Sequence, residues 1–183
     1  MKRYSHIDSP LGRILLTGDG DSLTGLYFVG QKYEAVPLSD WTEECDSALF
    51  SQARAQLADY FAGKRTRFEL PLAPEGTPFQ LGVWRELGAI RCGTTVSYGS
   101  LAKSLGAARS VRAAAAAIGR NPISIIIPCH RVIGSDGSLT GYAGGLDRKR
   151  ALLTLETTNG QTRMDRINRI EKPGLTGLRQ EFG

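Results

Sequence analysis

Three consecutive residues, Cys129, His130 and Arg131, place a nucleophile, a titratable base and a permanent cation side by side. They follow the apolar run ISIIIP and precede the glycine-rich stretch GSDGSLTGYAGG. A lone cysteine is most often a buried core thiol. Here adjacent cations would lower the thiol pKa, and glycines let backbone approach a small ligand closely, so the pattern favours a reactive cysteine. Adjacent side chains on extended backbone point to opposite faces, which strains a direct Cys129–His130 hydrogen bond. A relay through water, with a carboxylate orienting the imidazole, is easier. Glu156, at the end of the last expected helix, is the candidate orienter; otherwise it is a solvated helix carboxylate. Upstream, Asn121-Pro122 closes a short helix: proline forces its predecessor out of the helical region, and the amide can bond neighbouring backbone. No metal is expected, since three scattered cysteines and two histidines offer neither C-x₂-C nor H-x₃-H spacing.

The 183 residues can build one sizeable core or two small domains. With 41% hydrophobic and 22% charged residues, the chain reads as a soluble globular protein. No apolar run approaches the ~20 residues of a membrane span, and no apolar segment follows the basic residues of MKRYSHIDSPLG as in a signal peptide. The odd cysteine count with no close pair argues for a reducing, cytoplasmic setting. Net charge is −2 over residues 1–93, +6 over 94–150 and +1 over 151–183, so the basic excess surrounds Cys129. That asymmetry suits a polyanion such as nucleic acid, or merely a solvated face.

Elements must position these groups. GRILLTG and SLTGLYFVG, separated by GDGD, predict a hairpin. Leu49, Phe50, Ala53, Leu57, Tyr60 and Phe61 share one helical face between a Ser47 cap and a Gly63 stop. RFELPLAPEGTP reads as a last strand and then a linker, with a domain boundary near Pro74–Gly76. Thr77-Pro78 starts a helix carrying Phe79, Val83, Trp84, Leu87 and Ile90. Ser97 and Ser110 are candidate caps for YGSLAKSL and VRAAAAAI, two short helices spaced as in a helix-turn-helix or an ordinary helical hairpin. ISIIIP reads as a buried strand ended by Pro128. A final helix is expected from Asp147 through RKRALLTLE, followed by a polar tail that reads as an appendage or partly disordered.

The ordered set TPFQ, VW, SYG.LA, VR, NP, IPCHRV, GYAGG and LE, with DSPLG near the start, closely resembles the O6-alkylguanine-DNA alkyltransferases, or methylated-DNA–protein-cysteine methyltransferases. It covers most of residues 77–156. The resemblance implies an α/β N-terminal domain with a ribonuclease-H-like sheet (1–75), a mainly helical DNA-binding and alkyl-acceptor domain with a helix-turn-helix (76–157), and a tail (158–183). It implies stoichiometric transfer of an alkyl group from O6-alkylguanine in double-stranded DNA to Cys129, with O4-alkylthymine left open. Glu156, His130 and a water would generate the thiolate. Asn121 would be the hinge between the DNA-binding helix and the acceptor loop. Tyr98 would rotate the nucleotide and protonate guanine N3. Arg112 would enter the duplex at the minor groove, with Ser110 and Ala113 beside it; Arg120, an addition to the family pattern, is expected as a phosphate contact. Ile118, Val132, Tyr142, Ala143 and Gly144 would form the substrate pocket. No cofactor, no membrane and a monomer are implied.

The chain departs from the family pattern at Ala114-Ala115, where Val-Gly is usual, at the added cation Arg120, and in its tail; no zinc-ligand set is visible in the N-terminal part. Two rival readings are a damage sensor without transfer, whose relatives replace the cysteine that this chain keeps, and a cysteine hydrolase, which would leave the basic segment unexplained.

Overall fold

The GDGD turn forms as its composition suggests. Gly20 sits at φ 56°, and strands β2 (Ile14–Asp19) and β3 (Ser22–Phe28) run from it as an antiparallel hairpin. β1 (Lys2–Ile7) pairs antiparallel with β2, and the short β4 (Thr42–Glu43) joins β1 in parallel, giving the order β3-β2-β1-β4. The structure, a computed structural model, describes residues 1–106 and 110–170. Helix α1 (Ala48–Phe61) covers the sheet; Ser47 accepts from Phe50 N at its start and Gly63, at φ 73°, follows its end. Leu49, Phe50, Leu57 and Tyr60 bury its inner face in one cluster with Ile14, Leu16, Leu26 and Phe28. Each such side chain contributes ~1.5–3 kcal/mol.

The outer edge of β3 is covered by backbone from two distant segments. Leu23 donates to Pro71 O (2.8 Å) and accepts from Ala73 N (2.9 Å); Leu26 donates to Pro122 O (2.8 Å) and accepts from Ser124 N (2.9 Å). The strand expected in RFELPLAP is thus reduced to a single bridge between Leu72 and Leu23, because Pro71 and Pro74 lack the donors that longer pairing needs.

The second part is mainly helical. Helix α2 (Pro78–Gly88) begins with a capping box in which Thr77 and Gln80 satisfy each other's backbone N–H groups. Strand β5 (Val96–Ser97) runs straight into α3 (Tyr98–Ser104), capped by Ser97. Helix α4 (Val111–Gly119) packs against α2 and α3, and Trp84 Nε1 donates to Ala117 O at 2.9 Å. Ser110 does occupy the position before α4, but at φ −117° and ψ 35° its side chain makes no capping bond. Residues 107–109, the turn between α3 and α4, lie outside the described residues. Ala114 is fully buried, so its departure from the family pattern is a matter of internal packing.

ISIIIP is not a strand. After its one bridge to Leu26, the segment curls through Ile126 N→Ser124 O (2.8 Å) and Ile127 N→Ile123 O (3.0 Å), with Ile125 at φ 69°. A β-branched residue in that region is strained, and Ile125 is held there fully buried. A 3-10 turn (Cys129–Arg131) follows, then β6 (Val132–Ile133), which pairs in parallel with β5. Helix α5 starts at Leu146 and runs past the expected domain limit to Ile170. Residues 171–183 of the expected tail lie outside the described residues. Among the described residues no helix is long and apolar enough to cross a membrane.

Candidate active site

Asn121 explains why the isoleucine run curls. Its Oδ1 accepts from Ile123 N (3.0 Å), while Nδ2 donates to Ile127 O (2.7 Å) and reaches Cys129 Sγ (3.1 Å). One amide thereby replaces the ladder partners a strand would have used and delivers the thiol to the end of the loop. Cys129 is buried, and burial pushes its pKa up, against the Asn121 amide, the Lys149 charge and the backbone N–H groups of Cys129 and His130. The resting group is therefore a neutral thiol, surrounded by groups that favour its anion.

His130 is fully buried beside it, and burial holds its pKa below the usual imidazole range although Glu156 pulls upward. Nε2 donates to Glu156 Oε1 at 2.8 Å, and Nδ1 has no protein partner. Glu156 is not a solvated helix carboxylate. Oε1 also accepts from Tyr60 Oη (2.8 Å) and Arg131 Nη2 (2.8 Å), and Oε2 accepts from Arg131 Nε (2.9 Å) and Gly93 N (3.2 Å). Burial alone would raise its pKa; the bonds from His130 and Arg131 outweigh it and keep the carboxylate ionised. Arg131 also donates to Ile90 O at 2.5 Å, so this residue holds the relay to the end of α2.

Around this centre the expected pocket residues converge. Ile118, Cys129 and Val132 share one apolar cluster, with Tyr98 and Tyr142 packed against it. The Tyr142 ring stands edge-on to His130, centroids 6.5 Å apart. Tyr98 Oη donates to Thr140 O (3.0 Å) or Gly141 O (3.1 Å), closing α3 onto the glycine-rich segment. Gly144 has no room for a side chain: a Cβ would lie 2.6 Å from the Tyr142 ring and 3.2 Å from Phe28. The N-terminal part braces this segment through Lys32 N→Ala143 O (3.1 Å) and Arg148 Nε→Leu11 O (2.9 Å).

Lys149 is not singled out by the sequence, where RKR is only part of the expected final helix. It is fully buried, donates to Val132 O (2.5 Å) and Thr140 O (2.6 Å), and burial lowers its pKa to about 8. Tyr60 was assigned only to a helix core face; its partner lies 96 residues away. No spacing rule could have joined them.

The other residues expected to meet DNA lie on or beside α4. Arg112 and Ala113 are exposed on α4, with Ser110 at its start. Arg120, expected as an added phosphate contact, lies over the Tyr33 ring at 5.2 Å. Among the described residues no cluster of histidine, cysteine and carboxylate side chains could hold a metal.

The chain matches two family models, the ribonuclease-like domain of 6-O-methylguanine DNA methyltransferase over residues 2–74 and its DNA-binding domain over residues 78–158. This joins a small sheet unit to a DNA-binding unit that carries the cysteine. The chain belongs to the methylated-DNA–protein-cysteine methyltransferase family. It is 52% identical over 157 residues to the Methanosarcina barkeri methylated-DNA–protein-cysteine methyltransferase, covering 85% of this chain and 98% of that one. The Mycobacterium bovis protein of the same name is 50% identical over 156 residues, or 85% and 93%. The crystal structure of Mycobacterium tuberculosis OGT in complex with DNA superposes with a TM-score of 0.79 at 48% identity, over 86% of this chain and 94% of that one.

Proposed function

We propose that the chain repairs double-stranded DNA by moving the alkyl group of O6-alkylguanine onto Cys129 Sγ, once per molecule. The observation that carries this reading is the buried, neutral thiol held by Asn121 beside the His130–Glu156–Arg131 relay. The thiol proton passes through a water to His130 Nδ1, the ring nitrogen that Glu156 leaves free. The thiolate attacks the alkyl carbon in line, the S–C bond forms and the C–O6 bond breaks. Its electron pair returns to the purine, which takes a proton at N3 from Tyr98. Displacement at an sp³ carbon needs no oxyanion hole, and the thioether product has no leaving group for water, so the protein is consumed.

The target atom is hidden in the base stack, so the nucleotide must be flipped out, at a cost of a few kcal/mol. Helix α4 fits the minor groove: Arg112 replaces the extruded base, Ser110 lies at the phosphates, and Ala113 and Arg120 flank it. Its alanine surface allows close approach and supplies little base-edge readout, which suits a lesion scanner. Ile118, Val132, Tyr142, Ala143 and Gly144 enclose the flipped base. In this reading residues 1–75 form the bracing domain and 76–157 the acting one, α3 and α4 serve as a helix-turn-helix, and the protein works as a cytoplasmic, nucleoid-associated monomer.

Duplex DNA carrying O6-[methyl-³H]guanine tests the reading. One equivalent of label should appear as S-methylcysteine at Cys129, followed by an inert protein, and Cys129→Ala should bind DNA and transfer nothing. Catalytic turnover, or binding by the wild type without label transfer, would sink it; the second outcome is that of a damage sensor.

A further inference from the structure

A cavity of about 900 Å³ opens between the residue 66–74 segment and the second half of α2. It reaches Arg131 and Glu156, but none of Cys129, Tyr98, Tyr142, Ala143 or Arg112 lines it, so it is separate from the acceptor pocket and from α4. Its volume falls within the range of small-molecule sites, ~300–1,000 Å³. Phe68, Leu81, Trp84 and Ile90 give it an apolar wall, and Arg67, Arg85 and Arg91 line it as well.

These three cations are solvent-exposed and have no protein partner among the described residues. Arg3, Arg54, Arg65, Arg120, Arg131, Arg148 and Arg150 each engage a carboxylate, a carbonyl or an aromatic ring. Among the residues of 1–106 and 110–158, Arg13, Arg67, Arg85, Arg91 and Arg112 leave the guanidinium without one, and three of these line this single cavity. Glu69 and Glu86 stand within two residues of Arg67 and Arg85 in sequence, yet neither forms an ion pair. The one carboxylate in the lining, Glu156, is already neutralised by Arg131. Cys92, also in the lining, has its thiol pushed up to about 11 by burial and by Glu156, so it adds no opposing charge.

A cavity with an apolar wall and three solvent-exposed guanidiniums that no described protein group engages selects for a dianion on an apolar body. Guanidinium forks match the oxygens of a tetrahedral phosphate, and a phosphate monoester carries nearly two charges on one group. We infer that this cavity binds a small phosphate monoester with a flat apolar body. The inference stands independently of alkyl transfer.

The probe is 1-naphthyl phosphate, titrated calorimetrically into the full chain, with 1-naphthol and inorganic phosphate as body-only and head-only controls. The ester should bind in a saturable 1:1 manner, more tightly than either control. It should shift the indole N–H resonance of Trp84 and leave that of Trp41 in place. Arg85→Ala/Arg91→Ala should weaken it by roughly tenfold or more, the loss expected for charge-assisted bonds, while keeping the wild-type melting temperature because neither guanidinium has a partner to lose. Absence of binding, or equal affinity in the Arg67→Ala/Arg85→Ala/Arg91→Ala variant, overturns the inference. So does a result in which the variants lose only affinity and salt dependence for undamaged duplex DNA, since the arginines would then be backbone contacts.

Discussion

Glu156 Oε1 accepts three hydrogen bonds of equal length, and the one from Tyr60 is the only one of the three from the N-terminal unit. Because the carboxylate is ionised, Tyr60 must donate, drawing electron density from the oxygen that also holds His130 Nε2. Removing that donor makes Glu156 a stronger acceptor and raises the proton affinity of the imidazole. Tyr60→Phe should therefore move the acid limb of the single-turnover transfer rate to higher pH, with less than about a tenfold loss on the alkaline plateau, since only one of several bonds to the relay is lost. Phe68→Leu, which changes a ring packed on Tyr60 without touching the carboxylate, should lower stability and leave the limb in place. A pH–rate profile unchanged in Tyr60→Phe would remove this role. Cys129, His130, Asn121 and Glu156 were legible in the sequence because their motif is contiguous or regularly ordered. Arg131 was legible as a neighbour of the thiol but not as the partner of Glu156, and Tyr60 and Lys149 were not legible as site residues at all: a residue buried by its partners looks, in one dimension, like an ordinary surface cation or core ring.

At the scale of elements, helix starts were the best-read feature. Ser47, Thr77 and Ser97 each supply the side-chain bond that their type and position suggest. Ser110 has the right type and place but the wrong backbone angles. Thr77→Ala should then cost ~1 kcal/mol in urea unfolding, whereas Ser110→Ala should stay within ~0.5 kcal/mol, because no bond is lost. Equal costs would mean that the Ser110 hydroxyl caps α4 in solution. The isoleucine run was misread for a reason of the same kind. Apolar β-branched residues favour a strand, but the Asn121 side chain takes the Ile123 N–H and the Ile127 carbonyl and bends the segment instead. Pattern reports burial correctly there; it cannot report that a side-chain amide intercepts the backbone.

At the scale of the molecule, the relay couples stability to acidity. The Glu156 carboxyl titrates far lower in the folded protein than in the unfolded chain, where glutamate takes up its proton near about pH 4.3. Its stabilisation is complete above that pH and is lost progressively as pH falls below it. Denaturant midpoints should fall between about pH 4.5 and about pH 3 in the wild type and fall less in Glu156→Gln, whose amide does not titrate. An identical acid slope in both proteins would assign the loss to other carboxylates.

The shared edge of β3 has a consequence in time. The acceptor loop is pinned by Leu26, about a hundred residues earlier in the chain, and closures of that span come late in folding because their entropy is spent before contacts return it. Until then the thiol is an ordinary solvent-exposed cysteine, open to oxidants and to free alkylating agents. If Cys129 is the acceptor proposed above, a newly made molecule can lose it before it ever meets DNA. Pulsed thiol labelling during refolding should find Cys129 protected only after the sheet amides are; protection that precedes the sheet would place the risk elsewhere. On that reading, the one thiol the protein spends is most exposed while the chain is being assembled.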